Sequence, residues 1–483
     1  MQGVKRDYNG KVKCSHLSLE EQALYTTIPL WKVPYEDQIK QKTQTAKNYI
    51  LKLCDLILTR NPNLAGWIQR QQEEHKGFLC RVDPMLRTCN PNGYRAKCDF
   101  RVGFDEVTNE RVVGFKGAKS GVLSVRPGDK MIQLPHQMKL VVKLFEDYIR
   151  LSPLPPFVPE TKTGFWHHLM VRVSMAGEVM IMVVMYTGSL TPQQLQYVKS
   201  DLSNFFFHGE GRVANVHSLY YHPYEEKQHD MVPPTLELLG GVQRLIEPVM
   251  GTNFHIGPFT HFLTNTCTAQ TMYQAICDLV QPGPNVTIVD ICAGIGSIGL
   301  TLAKKCKEVY AIEMLEQHIS DGVLTAQMNN ITNFSFLHGR AEEQLGDLLR
   351  TLEGRNKEIV CILDPPKLGV NKRSALTDLA FKIVDQVRMS PSVKRFVYIC
   401  NNHKSPVRLF LDFCASPLER GSYKFTGLPF VPVRIIPIDL APHTPHSQLF
   451  ILFERCAVSS RKTKESKARK QHELDEYVVY AHC

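Results

Sequence analysis

Apolar residues recur at intervals of three and four from position 36 to 58, with no proline or glycine between them, and this spacing predicts an amphipathic helix. The flanking stretch, residues 17–75, reads as mostly helical in the same way. From about residue 92 to 250 the texture changes to short strands separated by turn signals. Runs 169–175 and 179–186 flank Ala176-Gly177 and predict a hairpin. Thr191-Pro192 then opens a helix to about residue 205, with the threonine as cap and the proline in the first turn. This middle stretch is expected to be an α+β unit. Beyond residue 250 the pattern alternates, with helix 268–280, strand 286–292 and helix 298–305, then strands 308–313, 334–338, 358–364, 395–400 and 448–453. Strands separated by helical segments predict a parallel sheet covered on both faces, with a ligand at the strand ends.

Composition narrows this picture. At 483 residues the chain exceeds one ordinary core, and 43% apolar with 22% charged residues is a globular balance, so two to three domains are expected. The longest apolar runs, such as 179–186, fall far short of the roughly 20 residues that span a bilayer. Residues 1–16 lack both the apolar core of a secretory signal and the arginine and serine content of a transit peptide. Fourteen cysteines are scattered with no CxxC pair, which points to reduced thiols in an intracellular compartment. Cys80, Cys89 and Cys98 are evenly spaced, but not at zinc or iron–sulfur spacing, so no metal is expected. The net charge of +10 is modest, and residues 461–470 hold six basic residues and one acid. That run leaves open a solvated tail, general phosphate attraction or a nuclear import signal.

The sharpest chemical signal is VDICAGIGSIGL, residues 289–300. A strand runs into a glycine-rich turn containing Gly294, Gly296 and Ser297, and then into a helix, so the backbone can approach a ligand without Cβ interference. Such turns also occur as bare structure, and the missing GK[ST] ending disfavours a triphosphate cradle. Glu313 ends the next strand, where a carboxylate can accept both ribose hydroxyls, although a dinucleotide site would use the same acid. Asp364-Pro365-Pro366-Lys367, at a later strand end, sets a carboxylate and a rigid turn beside a substrate base, which nicotinamide enzymes do not need.

These residues, with PLWKVPYEDQ (29–38), NGYRAKCDFRVGF (92–104), ILDPPK (362–367) and DLAPHTPHSQLFILFER (439–455), resemble the tRNA (uracil-5-)-methyltransferases and their ribosomal RNA relatives. The vertebrate cytosolic-nuclear form looks closest, without the RNA-recognition domain that precedes the core there. The resemblance implies a class I, Rossmann-like S-adenosylmethionine methyltransferase domain (251–456). Before it would come an α+β RNA-binding domain (86–250) and a mostly helical extension (1–85), and after it a basic tail (457–483). It implies S-adenosylmethionine as cofactor, with Gly294, Gly296, Ser297, Glu313 and Asp364 at its site, and tRNA as partner with no membrane. Cytoplasm or nucleus is the expected address, with the mitochondrion left open.

In this family uracil carbon 5 is made nucleophilic by a thiolate that adds to carbon 6, and a base later removes the carbon-5 proton. Cys400, followed by Asn401, stands where the family reads Ser-Cys-Asn-Pro, and the resemblance makes it the nucleophile. Ile399 and Asn402 then replace the flanking serine and proline, and Lys367 replaces an arginine. Gln448 occupies the place of the general base, a glutamate, and cannot take a proton at neutral pH. Leu263 stands where a family glutamine contacts the cofactor, a loss of about 1 kcal/mol. His403, His443 and His446 are alternative bases by pKa. NGYRAK resembles the family's RNA-facing run, so Tyr94, Arg95 and Lys97 are expected to stack a base and follow phosphates, with Trp166, His167 and Arg172 extending the surface. The alternative to a working enzyme is an impaired homologue that binds or remodels tRNA, because of Gln448.

Overall fold

The computed structural model describes residues 17–105, 107–116, 124–224, 236–355, 358–365, 373–400, 407–417, 425–458 and 477–478. Three helices open it: α1 (Leu19–Thr27), α2 (Tyr35–Arg60) and α3 (Ala65–Glu74). Ser18 caps α1 by accepting from the Glu21 amide. α2 buries Ile39, Ala46, Ile50, Leu53 and Ile57 along one stripe, as the apolar period predicts.

The middle of the chain forms a seven-stranded sheet. After the short strand β1 (Arg81–Val82) come β2 (Lys97–Phe104), β3 (Arg111–Lys116), β4 (Ser124–Val125), helix α4 (His136–Leu151), β5 (Trp166–Val173), β6 (Val179–Met185), helix α5 (Pro192–Phe207), β7 (Val216–Pro223) and β8 (Glu237–Gly241). Their order in the sheet is β4-β3-β2-β5-β6-β7-β8. The β5–β6 hairpin turns at the expected Ala176-Gly177, where Gly177 takes φ +81°. α5 is the crossover between the parallel strands β6 and β7, and Thr191 with Gln194 forms a full capping box at its start. α4 and α5 cover one face of this sheet, burying Phe145, Trp166, Leu202 and Phe206.

The hairpin β9 (Leu245–Val249) and β10 (Thr252–Ile256) leads to the second sheet. Its elements are α6 (Ala269–Val280), β11 (Val286–Ile291), α7 (Ser297–Ala303), β12 (Glu308–Glu313), α8 (Glu316–Met328), β13 (Phe334–His338) and α9 (Ala341–Leu352). There follow β14 (Glu358–Leu363), α10 (Arg373–Met389), β15 (Val393–Cys400), α11 (Val407–Cys414), β16 (Phe430–Ile438) and β17 (Gln448–Arg455). The order is β1-β16-β17-β15-β14-β11-β12-β13. Strands β11 to β15 run parallel and the order reverses at β11, so the crevice for a ligand lies at the carboxyl ends of β11, β12 and β14.

Two expectations change. The sheet is not wholly parallel: β17 is antiparallel to both β15 and β16, because the loop 439–447 between β16 and β17 carries no crossover helix. The segment before residue 86 is also not a unit of its own. Leu24 and Ile28 from its first helical stretch pack into the middle core, α2 and α3 cover the second sheet, and β1 is that sheet's edge strand. Among the described residues no helix is long and apolar enough to cross a membrane.

Candidate active site

The register of the second sheet puts its acids in one row. Ile291 of β11 lies opposite Ile312 of β12 on one side and Leu363 of β14 on the other, so Glu313 and Asp364 flank the point where the glycine turn begins. The Glu313 carboxylate accepts from the Gly294 amide at 2.8 Å and the Leu315 amide at 2.9 Å, and His318 Nδ1 stands 3.5 Å away. Burial works against its charge, but these groups outweigh burial and hold its pKa below the usual carboxylate range.

The glycines of the turn differ in purpose. Gly294 has φ +58°, and a side chain there would point into open space, so this is the position that leaves room for a ligand. At Gly296 (φ +73°) a Cβ would come within 2.6 Å of the Phe334 ring, and at Gly299 within 2.9 Å of Phe334 and 3.1 Å of Asp290 Oδ2. These two glycines serve close packing rather than the ligand. Ser297 begins α7, and its carbonyl accepts from the Thr301 hydroxyl at 2.8 Å.

Asp290, inside the motif 289–300, is a further residue of the site. Its Oδ2 accepts the Gly299 amide at 3.0 Å, while its buried Oδ1 has no protein partner among the described residues. Burial, with Asp364 and Glu313 nearby, pushes its pKa up to about 8. A lone carboxylate inside an otherwise apolar strand, immediately before a glycine turn, is the signal that could have found it.

These groups fit S-adenosylmethionine. Glu313 offers acceptors for ribose hydroxyls, Gly294 offers close backbone approach, and Asp290 Oδ1 is a buried polar atom with no protein partner among the described residues. Leu263 is half-buried against the hydrophobic core that includes Phe254 and Ile276 and contributes only apolar surface.

The structure does not bring Cys400 and Gln448 together on one face. Cys400 is fully buried on the side of β15 shared with Phe396 and Tyr398, close to Tyr49 of α2. It pairs with Leu449, so strand alternation turns Gln448 to the opposite side, that of Phe450 and Leu452. His443 is buried with φ 63°, and both ring nitrogens are engaged, Nδ1 by Gln38 and Nε2 by Pro91 and Asn92, so it braces the loop. His446 is exposed, while Lys367, Asn401, Asn402, His403 and the basic run 461–470 lie outside the described residues.

The expected RNA face also changes. Tyr94 is 7% exposed and donates its hydroxyl to the Pro442 carbonyl at 3.0 Å, so its ring is a joint between the sheets and is not free to stack a base. Lys97 Nζ donates to the Pro258 carbonyl at 3.0 Å, and burial, aided by Arg172, lowers its pKa to about 8. Arg95 is half-buried beside it. Trp166 lies wholly in the middle core, against Phe145 and Tyr148, and Arg172 is buried with its guanidinium on the Thr260 carbonyl.

A doubly wound sheet with a glycine turn and acids at successive strand ends defines a class I, Rossmann-like methyltransferase fold. No family model matches the chain. The tRNA (uracil-5-)-methyltransferase homolog A of Mus musculus is 32% identical over 430 residues, 88% of this chain and 68% of the relative. Homolog B of Danio rerio is 31% identical over 449 residues, 92% of this chain and 89% of the relative. The crystal structure of Pyrococcus abyssi tRNA (uracil-54, C5)-methyltransferase in complex with S-adenosyl-L-homocysteine shares the fold, with a TM-score of 0.58 at 18% identity over 82% of this chain and 83% of that one. The chain belongs to the tRNA (uracil-5-)-methyltransferase family.

Proposed function

We propose that this protein is an S-adenosylmethionine-dependent methyltransferase directed at uridine carbon 5 of tRNA. The observation that carries the reading is the strand-end row of Gly294, Glu313 and Asp364 with the orphaned Asp290 Oδ1. When bound, S-adenosylmethionine supplies an electrophilic methyl group. Glu313 would hold the ribose hydroxyls and Asp290 a further polar group, while Asp364 would border the substrate base. Arg95 would face the tRNA backbone, and the target uridine must leave its stack to reach the site, at a cost of about a few kcal/mol. For carbon 5 to attack, the Cys400 thiolate must add to carbon 6, which requires the end of β15 to turn that thiol out of the core. Gln448 cannot accept the carbon-5 proton, so release of the thiol is the slow step.

A second reading is favoured by the opposite orientations of Cys400 and Gln448. It sets the Ser-Cys-Asn-Pro motif one residue later, with Cys400 at the serine and Asn401 at the nucleophile. The chain would then bind cofactor and tRNA without forming a thiol adduct. Incubation with labelled cofactor and unmodified tRNA, read by mass for 5-methyluridine and for protein–RNA adduct, separates the two. Repeated turnover abolished by Cys400→Ala supports the first reading. Tight tRNA binding with neither product nor adduct supports the second and overturns the first.

A further inference from the structure

Two cysteines from distant parts of the chain meet at the start of α6, outside the cofactor cradle. Cys89 lies between β1 and β2, and Cys267 in the short turn Thr266–Thr268 that leads into α6. Cys89 is exposed and Cys267 half-buried. Cys89 Sγ donates to the Cys267 carbonyl at 3.1 Å, which sets the two residues side by side, and Cys267 Sγ donates to Asn265 Oδ1 at 3.0 Å. Their neighbours hold the segments in register: Thr88 and Thr268 share a 2.6 Å hydroxyl contact, and Asn265 Nδ2 reaches Thr88 Oγ1 at 3.3 Å and the Leu440 carbonyl at 3.1 Å. Cys267 also lines a cavity of about 210 Å³ with Asn90, Tyr94, Arg95 and Gln137, so a small reagent can reach it.

We propose that Cys89 and Cys267 are an oxidisable thiol pair, which a peroxide converts to a disulfide that ties the segment before β2 to the start of α6. The inference does not rest on the methyl-transfer reading. Burial opposes ionisation of Cys267, but hydrogen bonds from Cys89, Thr88 and Thr268 outweigh it and draw the thiol below its ordinary value. Burial, together with Cys267, raises Cys89. Cys267, which lines the cavity that admits the reagent, is the attacking thiolate and Cys89 the resolving thiol. The Cys267 thiolate attacks one peroxide oxygen, an S–O bond forms as the O–O bond breaks, and the hydroxide released takes up a proton to become water. Cys89 sulfur then attacks the sulfenic sulfur, the S–S bond forms as the S–O bond breaks, and a second water leaves with the Cys89 proton. Two thiols and one hydrogen peroxide thus give one disulfide and two waters. Cys361, by contrast, is fully buried and pushed up to about 12. A disulfide in an intracellular protein is ordinarily of this responsive kind.

The test uses the full chain with hydrogen peroxide, then an alkylating quench and digestion without reductant. The expected product is a Cys89–Cys267 linked peptide lighter by two hydrogens and cleaved by dithiothreitol. In Cys89→Ser the reaction should stop at a Cys267 sulfenic acid that dimedone traps, and in Cys267→Ser no link should form. Iodoacetamide should label Cys267 at least about tenfold faster than Cys361. Circular dichroism of each variant matching the parent assigns a lost link to the missing thiol and not to unfolding. Recovery of Cys89 and Cys267 fully alkylated after peroxide in the parent chain would overturn the proposal, as would dimedone labelling that persists in Cys267→Ser at the parent's level.

Discussion

Replacing Glu313 with glutamine changes one atom type at the most constrained point of the cradle. The carboxylate now accepts from two backbone amides, Gly294 at 2.8 Å and Leu315 at 2.9 Å, on different oxygens. A glutamine offers one oxygen, and its NH2 would face the other amide, donor to donor. Losing a charge-assisted hydrogen bond and stranding an N–H costs about 1.5–3 kcal/mol. The same carboxylate is the proposed ribose acceptor, and about 1.4 kcal/mol is tenfold in affinity. S-adenosylhomocysteine should therefore bind Glu313→Gln about 10- to 100-fold more weakly, measured by titration calorimetry on a folded variant. The stability loss has a pH signature. The folded-state pKa of Glu313 is depressed, so its contribution is present above the unfolded value of about 4.3 and is lost as pH falls through the folded value. The difference in Tm between parent and variant should shrink in acid. A variant that binds within twofold of the parent refutes the placement of the cofactor on Glu313.

Asp290 has the opposite sign. Its unfolded form ionises near about 3.9 and its folded form only at about 8, so the acid costs stability increasingly across that interval. Asp290→Asn, whose oxygen can still accept the Gly299 amide, should match the parent near pH 4 and gain Tm up to a plateau above pH 8; a pH-independent difference contradicts this. Lys42 forms a fully buried ion pair with Asp439 at 2.7 Å and also holds the Ala441 carbonyl at 3.0 Å. Lys42→Met should cost about 3–5 kcal/mol in urea unfolding, and adding Asp439→Asn should restore part of it; full additivity would deny the pairing. Gln448→Glu should raise turnover if proton removal limits the reaction, and unchanged product formation removes Gln448 from the base position. Arg95→Ala should weaken tRNA binding and flatten its salt dependence, and equal affinity at all salt concentrations removes that surface from the account.

Much of the second sheet was legible because its strands are continuous apolar runs with an acid or glycine at the carboxyl end. β12 and β13 match the expected bounds, and β11 and β14 end one residue earlier than expected. Glu313 and Asp364 could be placed at a ligand edge for the same reason: a parallel strand buried on both faces can expose a carboxylate only at its end. The amphipathic stripe of α2 and the cap at Thr191 are equally local, decided by residues within a turn of one another.

Partners far apart in the chain decided the rest. Tyr94 reads as an aromatic beside cations, yet its hydroxyl finds Pro442, 348 residues away, and that contact makes it a joint. Cys400 reads as a nucleophile because a pattern of residue types cannot say which face of a strand a side chain takes. The pairing with Leu449 and the packing near Tyr49 set that face, and with it the separation from Gln448. Asp290 is an acid in an apolar strand until the fold leaves one of its oxygens buried without a donor. Local periodicity thus determined the elements and the cofactor edge, since both depend on near neighbours. The orientation of the reactive groups was decided only when β15, β16 and β17 came together, because orientation depends on which distant strand each one pairs.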